Sequence, residues 1–324
     1  MLHIALATIV VGACVTHFVG VQGEIHLRAD KATRIPDTEF SLFLWDFHIV
    51  SDEQGNPADF VSELRLLDRS VQPLQIDEGI VQMNKPLKYH GYRFCQSDYD
   101  SDMQGVVLTY NYDPWGIGIT YTGYSLLLLA MIGFFFQRRT YFRALISKQH
   151  TWLMVVLGVA VVVLAVVMTK VVTPKPPLQP VLQTPLLGIH VSVIMLAYTL
   201  FAVMMVNGIL GLSMPARRER LMHLSQLLLY PALFCLTAGI FIGAVWANMS
   251  WGRYWGWDPK ETWALITMLV YALLLHWPWL SRYLKLSGNS KQLIYHIAAV
   301  VAFVFVLFTY FGVSYLLGGL HSYT

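Results

Sequence analysis

Charge is scarce in this sequence. Only 13% of its 324 residues are charged, 22 Lys+Arg against 19 Asp+Glu, while 56% are hydrophobic. With a mean hydropathy of +0.53, this excludes an ordinary soluble domain and describes a membrane protein. The net charge of +3 gives no reason to expect a nucleic-acid partner. Cysteine is scarcer still. Cys14 and Cys235 fall in apolar runs, Cys95 stands alone in a polar region, and no CxxC or CxxCH occurs. An internal disulfide framework, a redox dithiol and a haem attached covalently to this chain are therefore not expected. Internal repeats and low-complexity tracts are also missing. The first apolar run lacks a basic flank and a small-x-small cleavage site, so it reads as a retained helix and not as a cleaved signal.

Long apolar runs are what the chain has in abundance. About 20 such residues span a bilayer core, and seven stretches qualify, roughly 3–20, 117–136, 152–169, 188–213, 226–247, 261–277 and 293–313. Basic residues follow the second run (Arg138, Arg139, Arg143, Lys148), the fourth (Arg217, Arg218, Arg220) and the sixth (Arg282, Lys285, Lys291). By the positive-inside rule those loops are cytoplasmic. The expected fold is a polytopic α-helical membrane protein of about seven spans, N-in and C-out, with one small β-rich extracytoplasmic domain. Its expected parts are a first helix at 1–23, the β-rich domain at 24–116, a helix at 117–136 and a five-helix domain at 137–324. Phe40–Trp45 and Gly105–Tyr110 read as strands, Asp52–Pro57 as a turn, and Thr173–Pro177 as a stiff connector.

The most unusual stretch is Trp251-Gly252-Arg253-Tyr254-Trp255-Gly256-Trp257-Asp258-Pro259-Lys260-Glu261-Thr262-Trp263. Aromatic residues gather at membrane interfaces, but an ordinary belt supplies one or two per helix end, whereas five stand here. Two glycines allow close backbone approach, and Arg253 and Lys260 suit carboxylates. The pattern fits a large, flat, partly charged ligand such as a tetrapyrrole. Asp258-Pro259-Lys260-Glu261 has a second reading as a capping box that starts the next helix.

A tetrapyrrole iron needs axial ligands, for which His is the usual choice. Among the eleven histidines, His190 opens the fourth run and His321 follows the seventh, both expected at the outer face with the Trp-rich loop. His276 lies 15 residues beyond Glu261, roughly 22 Å deeper at about 1.5 Å per residue. His3 shares that inner depth, while its competitor His17 belongs near the outer face. His296 reads as a helix-packing residue, and His26, His48, His90, His150 and His223 as surface or strand positions.

With these residues in hand, the loop Trp251–Glu261 resembles the WWD signature of haem-handling proteins in cytochrome c maturation. Ile189–Ser192 and Gly319–Tyr323 resemble the CcsA (ResC) branch. Segment 1–136, through Pro57–Ser62 and Asn84–Phe94, resembles the C-terminal part of its partner CcsB (ResB). The chain is thus similar to a CcsBA-type fusion with a shortened front. The resemblance implies a membrane synthase that carries haem b to the outer face and joins its vinyls to the thiols of CxxCH in apocytochrome c. It places Trp251, Arg253, Tyr254, Trp255, Trp257, Asp258 and Lys260 around the haem. His190 and His321 fall at the outer iron, His276 and His3 at an inner one, and no catalytic residue is identifiable. Implied partners are apocytochrome c, a thiol-reducing protein, the lipid bilayer and an additional CcsB-like subunit; the implied location is a bacterial cytoplasmic membrane. The main rival is a haem exporter or chaperone that delivers haem without ligating it. A cytochrome b-type quinone oxidoreductase is a second, but leaves the Trp-rich loop without a place.

Overall fold

Helix α1 (Leu2–Val19) is mostly apolar and carries most of its side chains on its outer surface, Ile4 and Phe18 among them. It belongs to a computed structural model that describes residues 1–29, 31–68, 75–138, 140–148 and 179–317, with 158, 161, 162 and 166. The expected third span at 152–169 lies almost wholly outside the described residues, as do the Pro-rich connector, His150 and His321. Two compact units divide the chain. One comprises Met1–Leu127, Lys175–Leu187 and Gly243–Trp255; the other comprises Leu128–Pro174, Gly188–Ile242 and Gly256–Thr324.

Among the described residues of the first unit, α1 is followed by eight strands: β1 (Val21–Arg28), β2 (Thr33–Arg34), β3 (Phe40–Ser51), β4 (Pro57–Asp68), β5 (Gln75–Gln82), β6 (Leu87–Tyr89), β7 (Tyr92–Tyr99) and β8 (Gly105–Tyr112). They form two antiparallel sheets, ordered β1-β8-β7-β6 and β2-β3-β4-β5. A core of Ile25, Leu27, Leu42, Leu44, Leu64, Leu66, Phe94, Val106 and Leu108 draws on both. Strand alternation explains which residues face it. On β3, Leu42 and Leu44 point inward, but the next core residue is Phe47, three positions on. A register shift between Leu44 and Asp46 accounts for the extra step, as a β-bulge does. The expected turn joins β3 to β4: Asp52 Oδ1 accepts the N–H groups of Gln54 and Asn56, and Gly55 takes φ +83°.

Helix α2 (Gly116–Phe136) starts where Asp113 Oδ1 accepts the Gly116 N–H at 2.7 Å. Small residues let α1 and α2 meet closely, Gly12 against Thr120 and Gly123 against Ile9, as is common between membrane helices.

The second unit holds α3 (Tyr141–Lys148) and most of α4 (Pro185–Ser213) and α5 (Arg218–Ser250). It continues with α6 (Pro259–Leu275), α7 (Trp277–Tyr283), α8 (Gly288–Leu307), a π-helical turn (Phe308–Gly312) and α9 (Val313–Leu316). A buried arginine ties three of these helices together. Arg218 Nε donates to the Gly211 carbonyl and its Nη1 to Asn289 Oδ1, while its own carbonyl lies 2.9 Å from His296 Nε2. His296 is fully buried here, the packing role expected for it. Helices α6 and α7 meet at 65°. Pro278 lacks the N–H that would continue the ladder.

Among the described residues, five helices are long and apolar enough to cross a membrane, or six if the bent α6–α7 pair is one span. Six of the seven apolar stretches marked out in the sequence thus carry helices, and the chain is a multi-pass membrane protein with a small β-sheet domain.

Candidate functional site

The Trp-rich stretch divides between the two units at Trp255/Gly256. Its first half, the arm Trp251–Trp255, continues from the end of α5 and is fixed to the first unit at several points. Asn248 Nδ2 donates to the Tyr121 hydroxyl at 2.7 Å, and the Ser250 hydroxyl donates to Asn84 Oδ1. Trp251 turns its ring edge-on to Trp246 at 4.8 Å. Gly252 adopts φ +74°, and a Cβ there would stand 3.2 Å from Cys95 Sγ, so this glycine meets both demands that favour the residue. Tyr254 is buried, its hydroxyl 2.8 Å from Thr16 Oγ1 and 3.2 Å from Thr120 Oγ1. Thr16 in turn donates to Asp113 Oδ2 at 2.6 Å, the carboxylate that also starts α2. Arg253 and Trp255 are half-buried.

The second half starts α6. Asp258 is the N-cap, with Pro259 at the first helical position. Its Oδ2 accepts the Lys260 N–H at 3.0 Å, while Glu261 Oε2 accepts the N–H groups of Gly256 and Asp258. This is the reciprocal capping box, so Asp258 and Glu261 are engaged in starting the helix. Lys260 Nζ reaches Ser314 Oγ at 3.0 Å. Trp257 stands out at φ +56° and is 71% exposed.

Two histidines of the second unit share one geometry. His190 Nδ1 lies 2.8 Å from the carbonyl of Gly239, and His276 Nδ1 lies 2.7 Å from that of Ala272. A carbonyl can only accept, so in each ring Nδ1 carries a proton. A ring protonated at Nδ1 can offer Nε2 to an iron, and a carbonyl accepting from Nδ1 is the usual means of holding a ligating His in place. The donor chemistry therefore fits a haem iron. Gly239 also sits at a tight crossing, since a Cβ there would meet Ile194 Cδ1 at 2.5 Å. His276 is exposed at the α6–α7 bend, and His3 is exposed on α1 in the other unit. His321 lies outside the described residues.

Sequence reasoning did not find Thr16, Asn84, Asp113, Thr120 or Asn248, which hold the arm, nor Gly239, which orients His190. One signal was available: Asn248 and Ser250 are polar residues closing a long apolar run. Cys95, directly under the arm, is buried, and its thiol is pushed up to about 11 by that burial.

Two family models match the chain. "Cytochrome C assembly protein" covers residues 119–321, and "ResB-like family" covers residues 1–114. Protein NrfI of Wolinella succinogenes is 38% identical over 157 residues, 45% of this chain and 17% of that protein. Cytochrome c biogenesis protein CcsA of Chlamydomonas reinhardtii is 39% identical over 158 residues, 45% of this chain and 43% of its own length. CcsA of Arabidopsis thaliana is 48% identical over 88 residues, 27% and 25% of the two chains. The matched region thus spans less than half the length of each of these relatives. The 119–321 match takes in more than half of the chain, including the Trp-rich stretch and His190, and the chain belongs to the cytochrome c assembly protein family, with a ResB-like segment ahead of the family's own region.

Proposed function

We propose that this chain is a haem-handling component of cytochrome c maturation that presents haem b at the outer face of a bacterial cytoplasmic membrane and joins it to the CxxCH thiols of apocytochrome c. The observation that carries the reading is the family match over 119–321, which contains the Trp-rich stretch and ends at His321. In this reading haem is the substrate, held at its iron by His190 and His321. Trp251, Trp255 and Trp257 meet its faces; Arg253 and Lys260 meet its carboxylates. His276 and His3 serve an inner iron site. Tyr254 and Asp258 act through the loop they hold in place. The residues at 24–116 form the docking domain for the apocytochrome, with 137–324 as the haem-handling domain.

Each thiol adds across one vinyl double bond, sulfur to one carbon and hydrogen to the other. Nothing leaves, so the reaction needs reduced thiols and correct placement, and the chain's contribution is proximity. A thiol-reducing partner keeps the CxxCH pair ready, and a further CcsB-like subunit completes the assembly.

The test is the absorption spectrum of the purified protein, with His190→Gly and His321→Gly beside it. Bound haem with an axial spectrum altered by each substitution supports the reading; haem-free protein, or spectra indifferent to both, overturns the assignment. Co-expression with a CxxCH reporter separates a synthase, which yields covalent haem, from an exporter, which does not.

A further inference from the structure

Lys88 on β6 and Arg93 on β7 stand directly opposite each other on the outer face of the first sheet. Like charges so placed repel. Among the described residues neither has a hydrogen bond or an ion pair to offset that repulsion. Across the next strand gap Arg93 faces Asn111, and one pair further along the same face Cys95 faces Thr109. The arm lies on this row: a Cβ on Gly252 would stand 3.2 Å from Cys95 Sγ and 3.8 Å from Asn111 Cβ. Directly paired residues have Cβ atoms about 5 Å apart, so the root of Arg93 is one residue's breadth from the arm. Asn111 is 8% exposed, and its Oδ1 has no hydrogen-bond partner. Asn248, at the foot of the arm, has a buried Oδ1 in the same condition. Buried amides are normally satisfied, and Arg93 beside Asn111 is only partly exposed.

We infer that Lys88 and Arg93, with Asn111 beside them, form a subsite for the carboxylates of the tetrapyrrole that the aromatic arm receives. The inference rests on the haem reading above and adds two cations of the ResB-like segment to the substrate contacts. The chemistry divides naturally. A tetrapyrrole is apolar on its faces and anionic along one edge. The arm supplies aromatic faces. Arg93 supplies the planar fork that matches a carboxylate, and Lys88 a second, mobile positive charge. A half-turn of the Asn111 amide presents Nδ2 as a further donor.

The experiment compares haem b with its dimethyl ester, in which both carboxylates are masked, on the purified full chain. Wild type should bind haem b more tightly than the ester. Arg93→Gln and Lys88→Gln together should reduce that preference about 10-fold or more, the scale of a lost charge-assisted hydrogen bond, while ester affinity stays unchanged and serves as the control for folding. Arg93→Lys, which keeps the charge and loses the fork, should fall between. Full preference in the double variant overturns the subsite and leaves the haem reading standing. Equal loss of both ligands also overturns it, making the pair structural. Wild type binding neither compound overturns the haem reading itself.

Discussion

The Tyr254 hydroxyl lies 2.8 Å from Thr16 Oγ1, although 238 residues separate them in the chain. Thr16 passes the connection to Asp113, and Asp113 to the first turn of α2. One tyrosine of the Trp-rich stretch thus joins the C-terminal end of α1, the close of the β domain and the start of α2. The arm Trp251–Trp255 is positioned by residues from the ResB-like segment and the helix that follows it, so the two family regions do not coincide with the two compact units.

Replacing Tyr254 by Phe tests this connection. The ring still fills its space, but the buried Thr120 hydroxyl loses its acceptor. An unsatisfied buried group costs about 1–3 kcal/mol. In a Cys14→Ser, Cys235→Ser background, maleimide should reach Cys95 on the order of tenfold faster, because loosening the arm lowers the free energy of local opening. Unchanged labelling and an unchanged melting temperature would show that the hydroxyl does not hold the arm.

Cys95 should also make the β domain sensitive to alkali. Burial raises its thiol from the ordinary 9.0 to about 11, with the Arg93 charge opposing. Between those values the unfolded thiol gives up its proton and the folded one keeps it. The unfolded state then binds fewer protons, so stability falls as pH rises. The loss should be absent below pH 9 and approach roughly 2–3 kcal/mol by pH 11, at about 1.36 kcal/mol per unit. Thermal melts of wild type and Cys95→Ala across pH 8 to 10.5 check it. Parallel curves would mean that Cys95 is not the group responsible.

Local signals carried the sequence reading, and long-range pairings escaped it. The capping box at Asp258–Glu261 lies within four residues, so its chemistry is visible in the sequence and recurs in the structure. The apolar runs were legible because membrane helices satisfy their own backbone. The Asp52 turn was legible because aspartate bonds its own neighbours. By contrast, the bulge that sets Phe47 inward depends on its pairing with β4. The partner of His190 is 49 residues away. Nothing near Tyr254 announces Thr16. The same reasoning explains why Lys88 and Arg93 attracted no notice: five positions apart in sequence, they become neighbours only through the β6–β7 hairpin.

His296 and His276 should behave oppositely. His296 is sealed in the helix bundle, with Nε2 against the Arg218 carbonyl at 2.9 Å. His296→Leu removes that donor and should destabilise the protein by about 1–3 kcal/mol, while the haem content of the folded fraction stays at the wild-type level. His276 is exposed and, among the described residues, bonds only to its own helix through Nδ1. His276→Leu should cost little stability but change the haem spectrum if the inner site exists. A spectral change from His296→Leu instead would reverse the two assignments.

Gly239 offers a way to disturb His190 without touching it. Its carbonyl accepts from His190 Nδ1, and the position is so tightly packed that an added Cβ would stand 2.5 Å from Ile194 Cδ1. Gly239→Ala should wedge α4 from α5 and move the carbonyl off the imidazole. Loss of such an outer partner typically weakens metal affinity 10- to 100-fold, so haem retention through dilution should fall on that scale, with His190 still present. Ile194→Ala removes the atom in the way and should restore most of the retention in the double variant. If Gly239→Ala retains haem like wild type, the His190–Gly239 bond does not set the ligand's orientation. If Ile194→Ala fails to rescue, the defect is not the predicted clash.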